Sequence, residues 1–236
     1  MAEEDSDKAL RRSQSLLLMQ IWEKGYLYII REGQLFRMIF QHGLNLTESI
    51  NRNSGVNKMK ITILMGSPNR NGSTSLLVNE FKKGAQEAGH SCEVIDVCHM
   101  NIRPCTGCVA CGYEGPCVQK DDEEMIRGKL LSSDMVVFAT PLYYYGMTAQ
   151  LKTVVDRFCA YNSSLNSSHL KSALLTVAWN ADDWTFEALV SHYKTLVRYI
   201  NFDDQGMVLG YGCGTPSMTK RSKYMNKAYQ LGRSLR

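Results

Sequence analysis

Met59-Lys60-Ile61-Thr62-Ile63-Leu64-Met65-Gly66-Ser67-Pro68-Asn69-Arg70-Asn71-Gly72-Ser73-Thr74-Ser75 is the stretch whose reading decides the fold. An apolar run of strand length, Lys60 to Met65, meets a loop of glycines, hydroxyls and amides, which then enters a helix beginning near Leu76. Strand, glycine-bearing loop and helix N-terminus in that order form a cradle for an anion. Glycines let the backbone turn closely, the hydroxyls of Ser67, Ser73, Thr74 and Ser75 donate hydrogen bonds, and the unpaired N–H groups of the helix point outward. The helix end adds roughly 0.3 to 1 kcal/mol toward a nearby anion at an exposed site. Neither the Gly-x4-Gly-Lys-Ser/Thr loop nor the Gly-x-Gly-x-x-Gly fingerprint is present in this stretch. A terminal phosphomonoester, as in FMN, suits these hydroxyls better than a pyrophosphate. A Ser/Asn-capped turn with no ligand is the alternative.

Outward from this stretch, short apolar runs recur at Cys92 to Val97, Met135 to Thr140, Ala173 to Trp179 and Gly206 to Gly210, with helical patterns in the gaps. Phe186, Leu189, Val190, Tyr193, Leu196, Val197 and Ile200 recur at i, i+3, i+4 and i+7, and Met147, Leu151, Val154, Val155 and Phe158 form another such stripe. Asp121 and Glu124 have capping-box spacing. Strand and helix alternation predicts an α/β fold, a doubly wound five-stranded parallel sheet whose ligand sits beyond the carboxyl ends of the strands.

Two loops at such ends stand out. The third strand runs into Pro141-Leu142-Tyr143-Tyr144-Tyr145-Gly146-Met147-Thr148. Aromatic rings and free backbone amides there can flank an isoalloxazine, with Gly146 allowing close approach; one of the three tyrosines is expected to pack in the core or at an interface. After the second strand comes Cys105-x2-Cys108-x2-Cys111-x5-Cys117. Thiolates this close can wrap one inorganic cluster, whereas paired-knuckle zinc sites usually carry a longer arm between two Cys-x2-Cys units. A cluster, zinc, and free or disulfide-forming thiols all remain open. Cys92, Cys98, Cys159 and Cys213 read as small core or edge residues, and Gly210-Tyr211-Gly212-Cys213-Gly214 as a strand-end turn.

The 236 residues, 44% hydrophobic and 21% charged, suffice for one full core plus an appendage. A net charge of +4, with no basic block interleaved with aromatics, argues against nucleic acid. The N-terminus MAEEDSDKALRR and the short apolar run Leu16 to Trp22 give no signal peptide and no membrane span. Clustered cysteines without an export signal suggest a cytoplasmic, reducing setting. Residues 1–58 lack the α/β rhythm and are expected to form an arm and linker, with an amphipathic helix around Ala9 to Trp22, a hairpin from Tyr26 to Ile30 and Leu35 to Phe40, and a polar linker over Asn51 to Asn57. Residues 59–236 are expected to be the main domain.

The segments GSPNRNGSTSLL, CTGCVACGYEGPC with VQKDDEEM, and TPLYYYGMTAQLKTVVDRF resemble the NAD(P)H-dependent FMN reductase superfamily of flavodoxin-like proteins, and within it the iron-sulfur flavoproteins. The resemblance spans about residues 59–236 and implies strand order 2-1-3-4-5, non-covalent FMN, and a homodimer or homotetramer with the site near a subunit interface. By motif position it implies a phosphate loop of Ser67, Asn69, Ser73, Thr74 and Ser75, and a ring loop of Pro141, Leu142, Tyr143, Tyr144 and Gly146. Asn180 and Ala181 fall where a third flavin-side loop lies, and Lys152, Asp156 and Arg157 match a structural helix pattern. Cys105, Cys108, Cys111 and Cys117 fall where the iron-sulfur members hold a 4Fe-4S cluster. The activity implied is electron transfer from NAD(P)H through FMN to a flavin, quinone-like, nitro or protein acceptor, with no catalytic side chain required because the flavin itself takes the hydride. A non-enzymatic FMN/iron-sulfur electron-transfer protein and a cofactor-free interaction module are the alternatives.

Overall fold

The computed structural model describes residues 58–236 throughout, and the strands at 19–23, 26–31, 34–41 and 44–49 before them. The chain divides into two units, Met1–Gly55 and Val56–Arg236.

In the first unit β1 (Met19–Glu23), β2 (Tyr26–Arg31), β3 (Gln34–Gln41) and β4 (Leu44–Ser49) form an antiparallel sheet in sequence order. The expected hairpin is present, with Ile29 opposite Phe36. The expected helix is not what the chain forms at Met19 to Trp22, where the backbone pairs with β2, Met19 opposite Ile30. Residues 9–18 of that expectation, and the linker at Asn51 to Asn57, lie outside the described residues.

The second unit contains β5 (Lys60–Met65), α1 (Ser73–Glu87), β6 (Ser91–Asp96), α2 (Glu123–Leu131), β7 (Met135–Pro141) and α3 (Ala149–Arg157). There follow a 3-10 turn at Phe158–Tyr161, α4 (Asn162–Ser168), β8 (Lys171–Val177), α5 (Glu187–Tyr199), β9 (Asp203–Gly210), α6 (Pro216–Lys220) and α7 (Tyr224–Ser234). Its five strands are parallel in the order β6-β5-β7-β8-β9, the flavodoxin-like 2-1-3-4-5 arrangement. The inner strands are nearly all buried because helices cover both faces, which explains their continuous apolar runs.

Alternate strand residues feed two cores. Ile61, Ile63, Val137 and Leu175 pack with Leu77 and Phe81 of α1, while Leu64, Val136, Phe138 and Leu174 pack with Ile126, Leu151, Leu189 and Tyr193 of the opposite helices. β9 starts at Asp203, before the expected Gly206, because a register shift hides its pairing: Ser172 faces Asp204 but Leu174 faces Met207. Gly206 takes φ +120° there, and the Asp204 carboxylate accepts its N–H.

The expected capping box does not form, because both side chains have other partners. The Asp121 carboxylate binds the Arg157 guanidinium at 2.8 and 3.1 Å and accepts the Glu123 N–H only secondarily, while Glu124 pairs with Arg127 at 2.7 Å. Among the described residues no helix is long and apolar enough to cross a membrane.

Candidate functional site

The order of the parallel sheet reverses between β5 and β7, and the loops leaving these two strands meet there. Gly66 begins the first loop; its N–H donates to Ala139 O at 2.7 Å and its carbonyl accepts the Thr148 hydroxyl at 2.7 Å. A Cβ at Gly66 would stand 2.7 Å from Leu151 Cβ, so only glycine lets the loop approach α3 this closely. Asn69 is the organiser: its carbonyl accepts the Ser67 and Ser75 hydroxyls, each at 3.3 Å, and the Gly72 N–H at 3.0 Å. Its side-chain Oδ1 accepts the Asn71 N–H at 3.1 Å.

Two hydroxyls are thereby spent on holding the loop. Among the described residues the buried Ser73 Oγ has no hydrogen-bond partner, although it lies in the first turn of α1 beside N–H groups that have no carbonyl one turn back. Arg70 is drawn aside to Asp96 at 2.8 Å, and Asp96 also contacts His99. Burial raises the Asp96 carboxyl, but His99 and Arg70 outweigh it and hold that group below the usual range.

The second loop is fixed by Thr148. Its N–H donates to Thr140 Oγ1, its hydroxyl oxygen accepts the Leu151 N–H as the cap of α3, and the same hydroxyl reaches Gly66 O. Between Pro141 and Thr148 the chain makes a tight turn, Tyr143 and Gly146 exchanging two backbone hydrogen bonds of 3.1 Å. The two central residues, Tyr144 (φ 45°) and Tyr145 (φ 64°), are both left-handed, a conformation that normally selects Asn and Gly. Tyr145 packs on Trp184 with ring centroids 5.1 Å apart, whereas Tyr144 is fully exposed.

Together the loops bound a cleft of about 290 Å3. Ser67, Asn69, Ser73 and Thr74 line one end, and Pro141, Leu142 and Tyr143 another side. Of the expected site residues, Ser75 sits just behind with its hydroxyl turned to Asn69, while Tyr144, Gly146, Asn180 and Ala181 are not part of the lining. The remaining wall comes from Val177 at the end of β8, Ala178 and Trp179 just after it, and Cys213, Gly214 and Pro216 after β9. Trp179 lies against Gly214 so closely that any side chain there would collide with the indole. These residues escaped the sequence reading because no local pattern marks them; only the parallel alignment of β8 with β7 and β9 brings them here.

The cysteine loop, residues 101–120, is clamped at its base. Arg157, 1% exposed, pairs with Asp121, equally buried, and donates to Arg103 O at 2.7 Å. The Asp121 and Asp122 carboxylates accept the Arg103 and Asn101 N–H groups at 3.1 and 2.7 Å. Burial raises the Asp121 carboxyl, yet the guanidinium and the Arg103 and Glu123 N–H groups more than offset it. Gly107, Val109, Gly112 and Tyr113 take left-handed φ values, bending the loop so that Cys105, Cys108, Cys111 and Cys117 surround one small hollow of about 20 Å3.

Cys159, from the turn after α3, lines the same hollow, although the sequence marks it only as a small core or edge residue, 48 residues from Cys111. Burial and the Cys111 thiol push the Cys159 thiol up to about 11. The Ala110 N–H and the Thr106 hydroxyl hold the exposed Cys108 thiol below its ordinary range. Among the described residues no group of three or more His, Cys, Asp or Glu side chains is gathered tightly enough for a single metal ion.

Three comparisons bear on this architecture. The family model described as NADPH-dependent FMN reductase matches residues 59–195. An iron-sulfur flavoprotein of Archaeoglobus fulgidus is 36% identical over 103 residues, covering 44% of this chain and 47% of that protein. One from Methanocaldococcus jannaschii is 37% identical over 99 residues, covering 42% and 51%. The chain thus spans about half the length of these curated relatives. Among solved structures, an NAD(P)H:quinone oxidoreductase from Methanothermobacter marburgensis superposes with a TM-score of 0.63 at 21% identity, over 75% of this chain and 96% of that one, and so shares the fold. With the sheet order, the loop that opens α1 and a family match beginning at the residue before β5, the chain belongs to the NADPH-dependent FMN reductase family.

Proposed function

We propose that this chain is an FMN-dependent oxidoreductase that takes electrons from NAD(P)H and passes them to an acceptor: a flavin, a quinone-like or nitro compound, or a carrier protein. The observation that carries the reading is the buried, unpartnered Ser73 hydroxyl beside the free N–H groups of α1, at the point where the sheet order reverses. A buried hydroxyl left without a partner is costly, and a phosphate oxygen supplies what it lacks. Ser73 and Thr74 would donate to the phosphate, while Ser67, Asn69 and Ser75 hold the loop in shape. Pro141, Leu142 and Tyr143, with Trp179 from the loop after β8, would flank the flat ring and keep water from it, with Tyr144, Gly146, Asn180 and Ala181 as its outer contacts. When bound, FMN supplies two-electron hydride acceptance and single-electron transfer.

The finer reading adds a 4Fe-4S cluster on Cys105, Cys108, Cys111 and Cys117. It is supported by four thiols around one hollow on a loop whose base is pinned by Arg157. In such a cluster each iron would take one thiolate, so the four sulfurs could stand further apart than around a single ion. All eight cysteines are free thiols, which suits the reducing cytoplasm. The exposed rings of Tyr143, Tyr144 and Trp179 beside the cleft offer a second copy a surface to cover, in keeping with a homodimer or homotetramer.

Flavin titration followed by fluorescence, then NADH and NADPH oxidation with quinone, nitro and flavin acceptors, tests the main reading. A chain that does not bind FMN overturns it. Binding without turnover on any acceptor replaces the enzyme with an electron carrier. Iron and acid-labile sulfide per chain after anaerobic purification decide the cluster.

A further inference from the structure

Five thiols line the hollow beneath the cysteine loop, one more than the proposed cluster uses. The surplus thiol differs from the rest in its support. Cys159 belongs to the 3-10 turn Phe158–Tyr161, whose other members Phe158, Ala160 and Tyr161 are buried in the core, so its position is fixed by packing. The other four sit on a segment without regular secondary structure between Asn101 and Lys120. Of these, Cys111 stands against Cys159: its thiol lies 3.9 Å from Cys159 O, and the two residues line the same hollow. Both are half-buried. Cys105 and Cys108 are exposed, and the Cys105 sulfur already accepts the Gly107 N–H at 3.4 Å.

We infer that Cys111 and Cys159 are an oxidisable pair whose disulfide forms in the metal-free chain and withdraws Cys111 from the ligand set. The pairing stands on geometry alone; the withdrawal rests on the iron-sulfur reading. With a hydroperoxide as oxidant, one thiolate attacks the O–O bond, giving a sulfenic acid and releasing one molecule of water or alcohol. The second thiol then attacks that sulfur, the S–S bond forms and a water leaves. Two thiols have lost two electrons and two protons, and the peroxide bond has been reduced. A thiol reductant such as glutathione reverses the exchange.

The test uses the full-length chain, stripped of metal with a chelator, reduced, freed of reductant and treated with hydrogen peroxide. Peptide mapping without reduction should show Cys111 linked to Cys159, and dithiothreitol should abolish the link. Anaerobic reconstitution with iron(II) and sulfide, read as iron and acid-labile sulfide retained per chain, should fall at least about tenfold in the oxidised chain relative to the reduced one, since loss of even an outer partner of a ligand costs about 10–100-fold. Cys159→Ser should retain iron and sulfide as the reduced wild type does, before and after peroxide. A Cys105–Cys108 link instead, no link at all, or a Cys159→Ser chain that loses this capacity with peroxide as the wild type does would each overturn the inference. A Cys111–Cys159 link in a chain that retains no iron or sulfide when reduced supports the pair and sinks the ligand set.

Discussion

At the scale of single residues, two buried polar groups distinguish what the fold needs from what the site needs. Ser73 Oγ has no partner among the described residues, so Ser73→Ala should leave thermal stability of the flavin-free chain unchanged or slightly higher. A hydrogen bond to a charged group contributes about 1.5–3 kcal/mol, so the same change should weaken FMN about 10–100-fold in a fluorescence titration. Equal loss of stability and of binding would mean that the hydroxyl serves the fold. Glu123 is the second case. Burial raises its carboxyl to about 8, partly countered by the Tyr161 hydroxyl, which donates to it at 2.6 Å, and by Arg157. The folded chain therefore keeps a proton that the unfolded chain releases near the ordinary value of 4.5, so stability falls as pH rises from about 4.5 to about 8. The slope approaches about 1.4 kcal/mol per pH unit. Glu123→Gln keeps an acceptor for Tyr161 and should flatten the fall in urea midpoint between pH 5 and pH 8; an unchanged slope assigns the dependence elsewhere. Ser73 is legible in the sequence because its loop is contiguous with β5, whereas nothing local marks Glu123, whose partner Tyr161 lies 38 residues along the chain.

At the scale of elements, the base of the cysteine loop depends on one buried pair between the segment before α2 and the end of α3. Asp121→Asn would leave Arg157 buried and without its counter-charge, a change that costs about 3–5 kcal/mol when such a pair is broken. Urea denaturation should show that loss as a lower midpoint with an unchanged slope. Asp121→Leu with Arg157→Met should cost less than the two single changes added together, because no orphaned charge remains. A single variant as stable as the wild type would show that the clamp contributes nothing to the fold. The same pair shows why helix starts were harder to read than strands. Asp121 and Glu124 have the spacing of a capping box, but spacing is local information, and a guanidinium 36 residues away outcompetes it for the carboxylate. β5 and β7 needed no such distant information, because burial on both faces writes itself as an unbroken apolar run.

At the scale of the whole molecule, the chain contains two sheets of different kinds. The parallel sheet of the second unit is covered on one face by α1 and α7 and on the other by α2, α3 and α5, so the surface that must be buried is buried by residues after Val56. The sequence changes rhythm near residue 58. What β1 to β4 do was not visible, since a pairing between strands is a non-local fact and the stretch ending at Trp22 reads equally as an amphipathic helix. A unit that carries its own two-sided core should fold alone. Residues 56–236 expressed by themselves should unfold in one cooperative transition, at a midpoint close to that of the second unit in the full chain. They should also bind FMN with the affinity of the full chain, because every residue lining the cleft comes from this unit. A fragment that binds 8-anilinonaphthalene-1-sulfonate as a loosely packed state, or that folds but loses FMN, would instead make the antiparallel sheet part of the core or of the site.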